Sequence, residues 1–335
     1  MVYIAYIPVM IRISFPSGAV ESDPGHRRSW LVKSQKPIPP DSCERTDCLW
    51  HARWSIPVRA SRYPCGVIDT HCHLTFRDFA DRTAQTLEHA QAHGVTGCIT
   101  IATTVEDALA AQSLAKTYDR IWCSAGVHPL YADAVPEGQS THDWDTLARL
   151  AGYEKCVAWG ELGLDKHYDQ PLLEVQLGVL EAQLATIEST HARWGEMNIA
   201  PKPIILHCRK AFDELIPRLQ DSSLEPARFV FHCFTGNPDD IRRCLDFGAM
   251  VSFTGVVTYP NAPEVQEAAR LVPIERIMVE TDSPFLSPVP KRGKRPCKPG
   301  YARHTAERLA QLRNEDWEVF HEAINTNTKR FFGVA

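Results

Sequence analysis

From residue 66 onward the chain alternates between short apolar runs and longer amphipathic stretches. The apolar runs fall at 66–69, 97–102, 121–125, 156–160, 203–206, 228–231, 249–253 and 276–280. They are four to six residues long, rich in Val, Ile, Phe and Cys, the signature of strands buried on both faces. The segments between them carry a helical period instead. Over 106–118, Ala108, Ala111, Leu114 and Ala115 fall on one stripe, and over 172–190 so do Leu173, Leu177, Leu180 and Leu184. Two further helical segments at 303–313 and 316–332 close the chain, with Asn314-Glu315-Asp316 supplying an N-cap region for the last. Eight strands, each with a crossover helix, predict a parallel (β/α)8 TIM barrel. The rival, an open doubly wound sheet, would carry a Gly-rich turn after the first strand. Asp69-Thr70-His71 stands there instead.

Residues 1–64 show no such period. Eight prolines interrupt them, and nine Lys/Arg stand against five Asp/Glu. This stretch reads as a disordered or loosely attached extension, with a targeting segment (organelle or nucleus) or a misassigned start as alternatives. The barrel domain is expected over 65–335. Cys43, Cys48 and His51 form only an incomplete zinc clip.

Composition narrows the functional classes. The net charge of −5 gives no global field for nucleic acid or anionic lipid, so phosphate binding must come from local groups. No apolar run approaches the ~18 residues of a membrane span. The eleven cysteines include no CxxC pair, and Cys72, Cys208 and Cys233 directly follow histidines. Free thiols in a reducing compartment, the cytoplasm, fit this better than a disulfide framework.

The chemistry is concentrated where the predicted strands end. His71 and His73 close strand one, Glu161 strand four, His207 strand five, His232 strand six and Asp282 strand eight. Residues i and i+2 of a strand share a face, so His71 and His73 point together while Cys72 points away. Barrel active sites lie at this carboxyl end. Four imidazoles and two carboxylates converging there are costly to bury unless paired or metal-bound. Mixed His/carboxylate donors suit Zn, Mn, Fe, Ni or Co, and Mg is tolerated. Six donors exceed the needs of one catalytic ion. The reading is therefore two divalent ions, with Mg, Mn and Zn all open. Glu161 bridges them, His71, His73 and Asp282 hold one, and His207 and His232 hold the other. Asp282 also stands ready to orient the attacking water or take its proton.

Seven ordered motifs carry a family resemblance. They are Val67-Ile-Asp-Thr-His-Cys-His-Leu74, Ala125-Gly-Val-His-Pro129, Trp159-Gly-Glu-Leu-Gly-Leu-Asp165, Ile205-Leu-His-Cys-Arg209, Phe231-His-Cys-Phe-Thr-Gly236, Ser252-Phe-Thr-Gly255 and Val279-Glu-Thr-Asp-Ser-Pro-Phe-Leu286. The chain resembles the TatD family of metal-dependent hydrolases, within the amidohydrolase-like barrels. The resemblance implies metal-dependent phosphodiester cleavage, usually 3′→5′ trimming of DNA. It also implies that His71, His73, Glu161, His207, His232 and Asp282 are the metal ligands and that His128 contacts substrate. The first His-x-His, missing in some members, is intact here.

Two basic elements are candidates for substrate contact. Arg209 and Lys210 lie just past His207, where a guanidinium fork suits a phosphate. The loop Lys291-Arg-Gly-Lys-Arg295, with Arg292, follows strand eight on the same face. The family's usual Asn-Glu-Pro after Arg-Gly-Lys is replaced by Arg295-Pro-Cys-Lys-Pro-Gly-Tyr301, removing groups that would line the mouth. The expected activity is a 3′→5′ exodeoxyribonuclease acting on single-stranded or frayed 3′ ends, with DNA repair as its setting. No aromatic ladder of the single-strand-binding type stands out, and no obligate protein partner or membrane is implied. Hydrolysis of an amide or ester, such as an aminoacyl ester, on the same site is the alternative. A non-enzymatic metal-bearing scaffold is a third.

Overall fold

The computed structural model describes residues 66–136 and 138–334. The expected N-terminal extension and its Cys43, Cys48 and His51 lie outside these. The eight parallel strands are β1 (Val67–Cys72), β2 (Val95–Thr100), β3 (Ile121–Ala125), β4 (Cys156–Asp165), β5 (Ile204–Arg209), β6 (Phe229–Phe231), β7 (Met250–Phe253) and β8 (Ile277–Val279). They form one sheet in sequential order. β8 returns to β1: the Asp282 amide donates to His71 O at 2.8 Å and the His73 amide to Ser283 O at 2.7 Å. The expected TIM barrel is the fold.

The helices follow their strands: α1 (Thr83–Ala92), α2 (Val105–Thr117), α3 (Trp144–Ala151), α4 (Leu173–Glu196), α5 (Phe212–Gln220), α6 (Pro238–Phe247), α7 (Pro263–Leu271), α8 (Ala302–Arg313) and α9 (Trp317–Phe332). In α2 the small residues Ala108, Ala111 and Ala115 are buried, and the Thr104 hydroxyl caps the start by accepting from Asp107 N. Asp316 caps α9, accepting from Glu318 N and Val319 N. Among the described residues no helix is long and apolar enough to cross a membrane.

The barrel interior is built in layers by the alternation of each strand. Its floor is aliphatic and aromatic. Ile68, Ile99, Trp122, Val157, Ala158, Ile205, Val230, Met250 and Met278 form one buried cluster, with Phe332 and Val334 at the end of α9. The intervening residues (Val67, Cys98, Ile121, Ile204, Phe229, Val251 and Ile277 among them) belong to the separate core under the helices. One step further along the strands the interior turns polar: His207 follows Ile205, His232 follows Val230, Ser252 follows Met250 and Glu280 follows Met278.

Two strands break this alternation. On β1, Asp69 pairs with Cys98 but Cys72 with Thr100, three steps against two. On β4, Trp159 pairs with Ile204 but Leu162 with Leu206, again three against two. Such bulges re-aim side chains beside active sites. Above them Cys72, Leu162 and Leu164 lie in the outer core, so His71, His73, Glu161 and Asp165 face the lumen. The β4 bulge is also why that strand outlasts the 156–160 expected: it resumes pairing with β5 as far as Asp165 opposite Arg209.

Candidate metal centre at the barrel mouth

Glu161 occupies the centre. Its Oε2 lies 3.2 Å from His71 Nε2. Its Oε1 lies 2.7 Å from His232 Nε2 and 2.8 Å from His207 Nδ1. The two oxygens of one carboxylate therefore face different imidazoles, His71 on one side and His207 and His232 on the other, with the His71 and His232 rings stacked 3.9 Å apart. On the Oε2 side, His71 Nε2 and His73 Nε2 are 3.3 Å apart, and Asp282 Oδ1 is 3.3 Å from His73 Nε2 and 3.7 Å from His71 Nε2. An ion with four donors at about 2.1 Å in a tetrahedron needs donor spacings of about 3.4 Å. This set fits.

The backbone at the centre is equally specific. Gly160 and Gly163 bracket Glu161 at φ +115° and +142°. A Cβ on Gly163 would stand 2.0 Å from His207 O, and one on Gly160 2.5 Å from Ile205 O. Only glycine lets β4 bulge while lying this close to β5. Asp282 sits beyond the end of β8, in the left-handed region at φ 56°, a conformation that concentrates at functional positions.

The far nitrogens of the histidines decide which near nitrogens carry lone pairs. His73 Nδ1 donates to Ile101 O at 3.1 Å, leaving Nε2 as the donor atom for a metal. His207 Nε2 donates to Asp165 Oδ2 at 2.9 Å, leaving Nδ1. His232 Nδ1 lies 3.4 Å from Glu280 Oε1 without a hydrogen bond, and its Nε2 faces Glu161. Among the described residues His71 Nδ1 has no hydrogen-bond partner. His128 is different. Its Nδ1 accepts from Leu130 N at 3.0 Å, so the neutral ring carries its proton on Nε2. That N–H points inward, 3.4 Å from Glu161 Oε1 and 3.2 Å from His207 Nδ1. His128 is thus a hydrogen-bond donor to the site, although its position among Glu161 and His207 also places it in a possible ligand group.

The charge balance follows. Burial works against the charge of Glu161, but His232, His128 and His71 outweigh it and hold its carboxyl well below the usual range. Asp282 is likewise held low against burial, mainly through His73. Burial lowers the proton affinity of His232 and His207, yet Glu161 raises the first well above the ordinary imidazole value, and Asp165 and Glu161 raise the second. Burial and the neighbouring His232 lower that of His71, and burial that of His128. Ionised carboxylates drawing protons onto nearby imidazoles form a donor set that a divalent cation would occupy in their place.

All six ligand candidates come together. The expected substrate contacts are more dispersed. His128 is inside the cluster. Arg209, two residues past His207 on β5, is half-buried one layer higher, its guanidinium 5.4 Å from the centre of the Tyr168 ring. Arg292 stands at the exposed rim, 4.2 Å over Tyr259. The segment after Arg295 turns inward, with Cys297 buried and its amide donating to Pro284 O at 2.9 Å.

Three buried acids are braces that strand ends alone did not reveal. Asp165 orients His207. Glu280 accepts from Ser252 Oγ and Cys233 N, both at 2.5 Å, and faces His232. Asp69 accepts from Thr281 N at 2.9 Å and from Thr281 Oγ1 at 2.6 Å, pinning the segment that carries Asp282. Period-two counting from Glu161 and from Asp282 would have found the first two. An aromatic pair was also missed: Phe76 stacks on His73 with ring centres 4.6 Å apart, and Phe285 lies edge-on to both.

The family model described as TatD related DNase matches residues 68–333. An uncharacterized metal-dependent hydrolase, YabD of Bacillus subtilis, is 32% identical over 268 residues, covering 80% of this chain and 99% of that protein. A protein of Escherichia fergusonii named 3′-5′ ssDNA/RNA exonuclease TatD is 32% identical over 273 residues, covering 80% of this chain and all of that one. Among solved structures, the TatD homologue YJJV of Escherichia coli superposes with a TM-score of 0.72 at 28% identity, over 81% of this chain and 99% of the other. The chain therefore belongs to the TatD related DNase family of metal-dependent hydrolases.

Proposed function

We propose that this enzyme is a phosphodiester hydrolase that trims single-stranded or frayed nucleic-acid ends from the 3′ side, DNA foremost, using two divalent ions bridged by Glu161. The observation that carries the reading is the division of the Glu161 carboxylate, Oε2 toward His71 and Oε1 toward His207 and His232. His71, His73 and Asp282 complete one site, His207 and His232 the other. The exonuclease name of the Escherichia fergusonii relative supports the substrate class. When bound, the ions supply Lewis acidity, activating water near neutral pH and neutralising phosphate charge. Mg, Mn and Zn all suit these donors, Zn binding most tightly.

The chain's own groups do the rest. Asp282, with a side chain 15% exposed at the open edge of the cluster, accepts the proton of the attacking water. His128 offers its Nε2–H to a non-bridging phosphate oxygen. Arg209, on the lumen face above His207, holds the phosphate, and Arg292 guides the strand at the rim. Eight free cysteines among the described residues fit a reducing, cytoplasmic setting.

The test is a time course on a 5′-labelled single-stranded oligonucleotide with Mg, Mn or Zn supplied, wild type beside Glu161→Gln. A ladder shortening from the 3′ end, stopped by chelator and absent in the variant, is expected. No cleavage with any metal, alongside turnover of an ester or amide panel, would overturn the reading.

A further inference from the structure

Above the centre, the carboxyl ends of β5, β6 and β7 open into a cleft of about 670 Å³. Its inner edge is Arg209, one layer above His207. Lys210 and His167 flank it, Val256 lines it, and Thr235 and Asn261 form further walls. Of its three acids, Asp213 and Asp240 are compensated and Glu264 is exposed. Asp213 and Asp240 both face Arg243, at 2.8 and 3.8 Å. Among the described residues, no carboxylate lies within ion-pairing distance of Arg209 or Lys210. Lys210 is exposed, at φ 58°. Beside the cleft the Arg209 guanidinium lies over the Tyr168 ring, whose centre is 4.8 Å from that of His167. Cations for phosphate beside flat rings for a base are the two components of single-strand recognition.

Resting on the phosphodiesterase reading, we propose that this cleft is the subsite for the nucleotide 5′ to the one removed. Lys210 neutralises that nucleotide's phosphate, and its base is received against the His167–Tyr168 pair. The volume lies within the ~300–1,000 Å³ of small-ligand sites, so it takes a nucleotide rather than a duplex. The strand thus runs outward over the His207/His232 side of the centre. The removed nucleotide lies toward His73, Phe76 and Phe285.

Two surface variants test this: Lys210→Glu, and Asn261→Trp, which fills the cleft from an exposed position. Each is assayed with manganese on a single-stranded tetranucleotide and on bis(p-nitrophenyl) phosphate, which is too small to reach the cleft. Binding of a fluorescein-labelled tetranucleotide to the chelator-treated protein is followed by anisotropy. For both variants, kcat/KM on the tetranucleotide is expected to fall at least tenfold through KM, and for Asn261→Trp turnover of the small diester is unchanged. Tetranucleotide binding weakens in parallel, with a shallower salt dependence for Lys210→Glu. Equal loss on both substrates, or no loss on either, overturns the subsite. Wild-type activity on the small diester without any on the tetranucleotide also overturns it while leaving phosphodiester chemistry standing. Inactivity on both overturns the reading beneath it.

Discussion

The floor and the mouth of this barrel share the same eight strands, yet they are built on opposite rules. On the floor, strict alternation delivers Ile68, Ile99, Ile205, Val230, Met250 and Met278 to one apolar cluster with no titratable group in it. At the mouth, a few ångströms along the same strands, the interior holds five imidazoles, His128 included, and several carboxylates. There β1 and β4 abandon their register, Gly160 and Gly163 adopt conformations closed to other residues, and Asp282 takes a left-handed backbone. The floor stabilises by burial and tolerates any side chain of the right volume. The mouth specifies individual atoms and bears local costs for them, which the floor offsets.

Breaking the mouth should abolish function and leave the fold. Glu161→Gln removes the shared charge while keeping the shape. Turnover should drop by a factor on the order of a thousand or more, comparable to losing a full transition-state contact, with melting shifted by only a few degrees. A variant that unfolds would show the centre to be a structural element. Breaking the floor should do the reverse. Ile205→Ala should cost roughly 2–5 kcal/mol of stability by opening a cavity, measured by denaturant unfolding. Metal content and turnover per folded molecule should persist below the new transition. If turnover fell in proportion instead, floor and mouth would not be separable.

A finer probe acts on the braces. Asp165→Asn keeps the hydrogen-bonding shape beside His207 but removes the charge. It should weaken metal affinity or turnover by about 10–100-fold, read by metal titration, and leave the melting temperature nearly unchanged.

The smallest effect lies outside both layers. His191, accepting from Trp159 Nε1 at 3.0 Å, is pushed down to about 4 by burial and then by Arg228. The fold favours its neutral form, so between the unfolded value near ~6.5 and about 4 the unfolded chain binds more protons. Stability is full above that window and falls as pH drops through it. His191→Gln should flatten the dependence of melting temperature on pH there. An unchanged slope would place the acid sensitivity in other groups, such as His89, which burial also pushes down to about 4.

The contrast also explains what was legible in the sequence. The floor could be read from runs such as Ile204-Ile205-Leu206, because burial on both faces leaves an unbroken apolar signal. His207 and His232 could be read because each directly follows such a run, and His71 and His73 because they share one face where the first strand ends. Asp165 and Glu280 were passed over, although a period of two from Glu161 and from Asp282 reaches both. A strand expected to stop at 160 leaves Asp165 looking like a loop residue, whereas β4 runs on in register with β5 past the bulge and carries it beside His207. Glu280 passed as the end of an apolar run. His128 was noted for its motif, but its role as a donor depends on one backbone amide, that of Leu130, which no spacing rule supplies.

The most direct test of the account counts ions. Purified protein, stripped and reloaded with zinc or manganese, is analysed for metal per chain by elemental analysis, wild type beside Glu161→Gln. A carboxylate divided between two imidazole groups predicts two ions per wild-type chain and a clear loss of at least one in the variant. A single ion per wild-type chain, retained in the variant, would contradict the bridge on which the account rests.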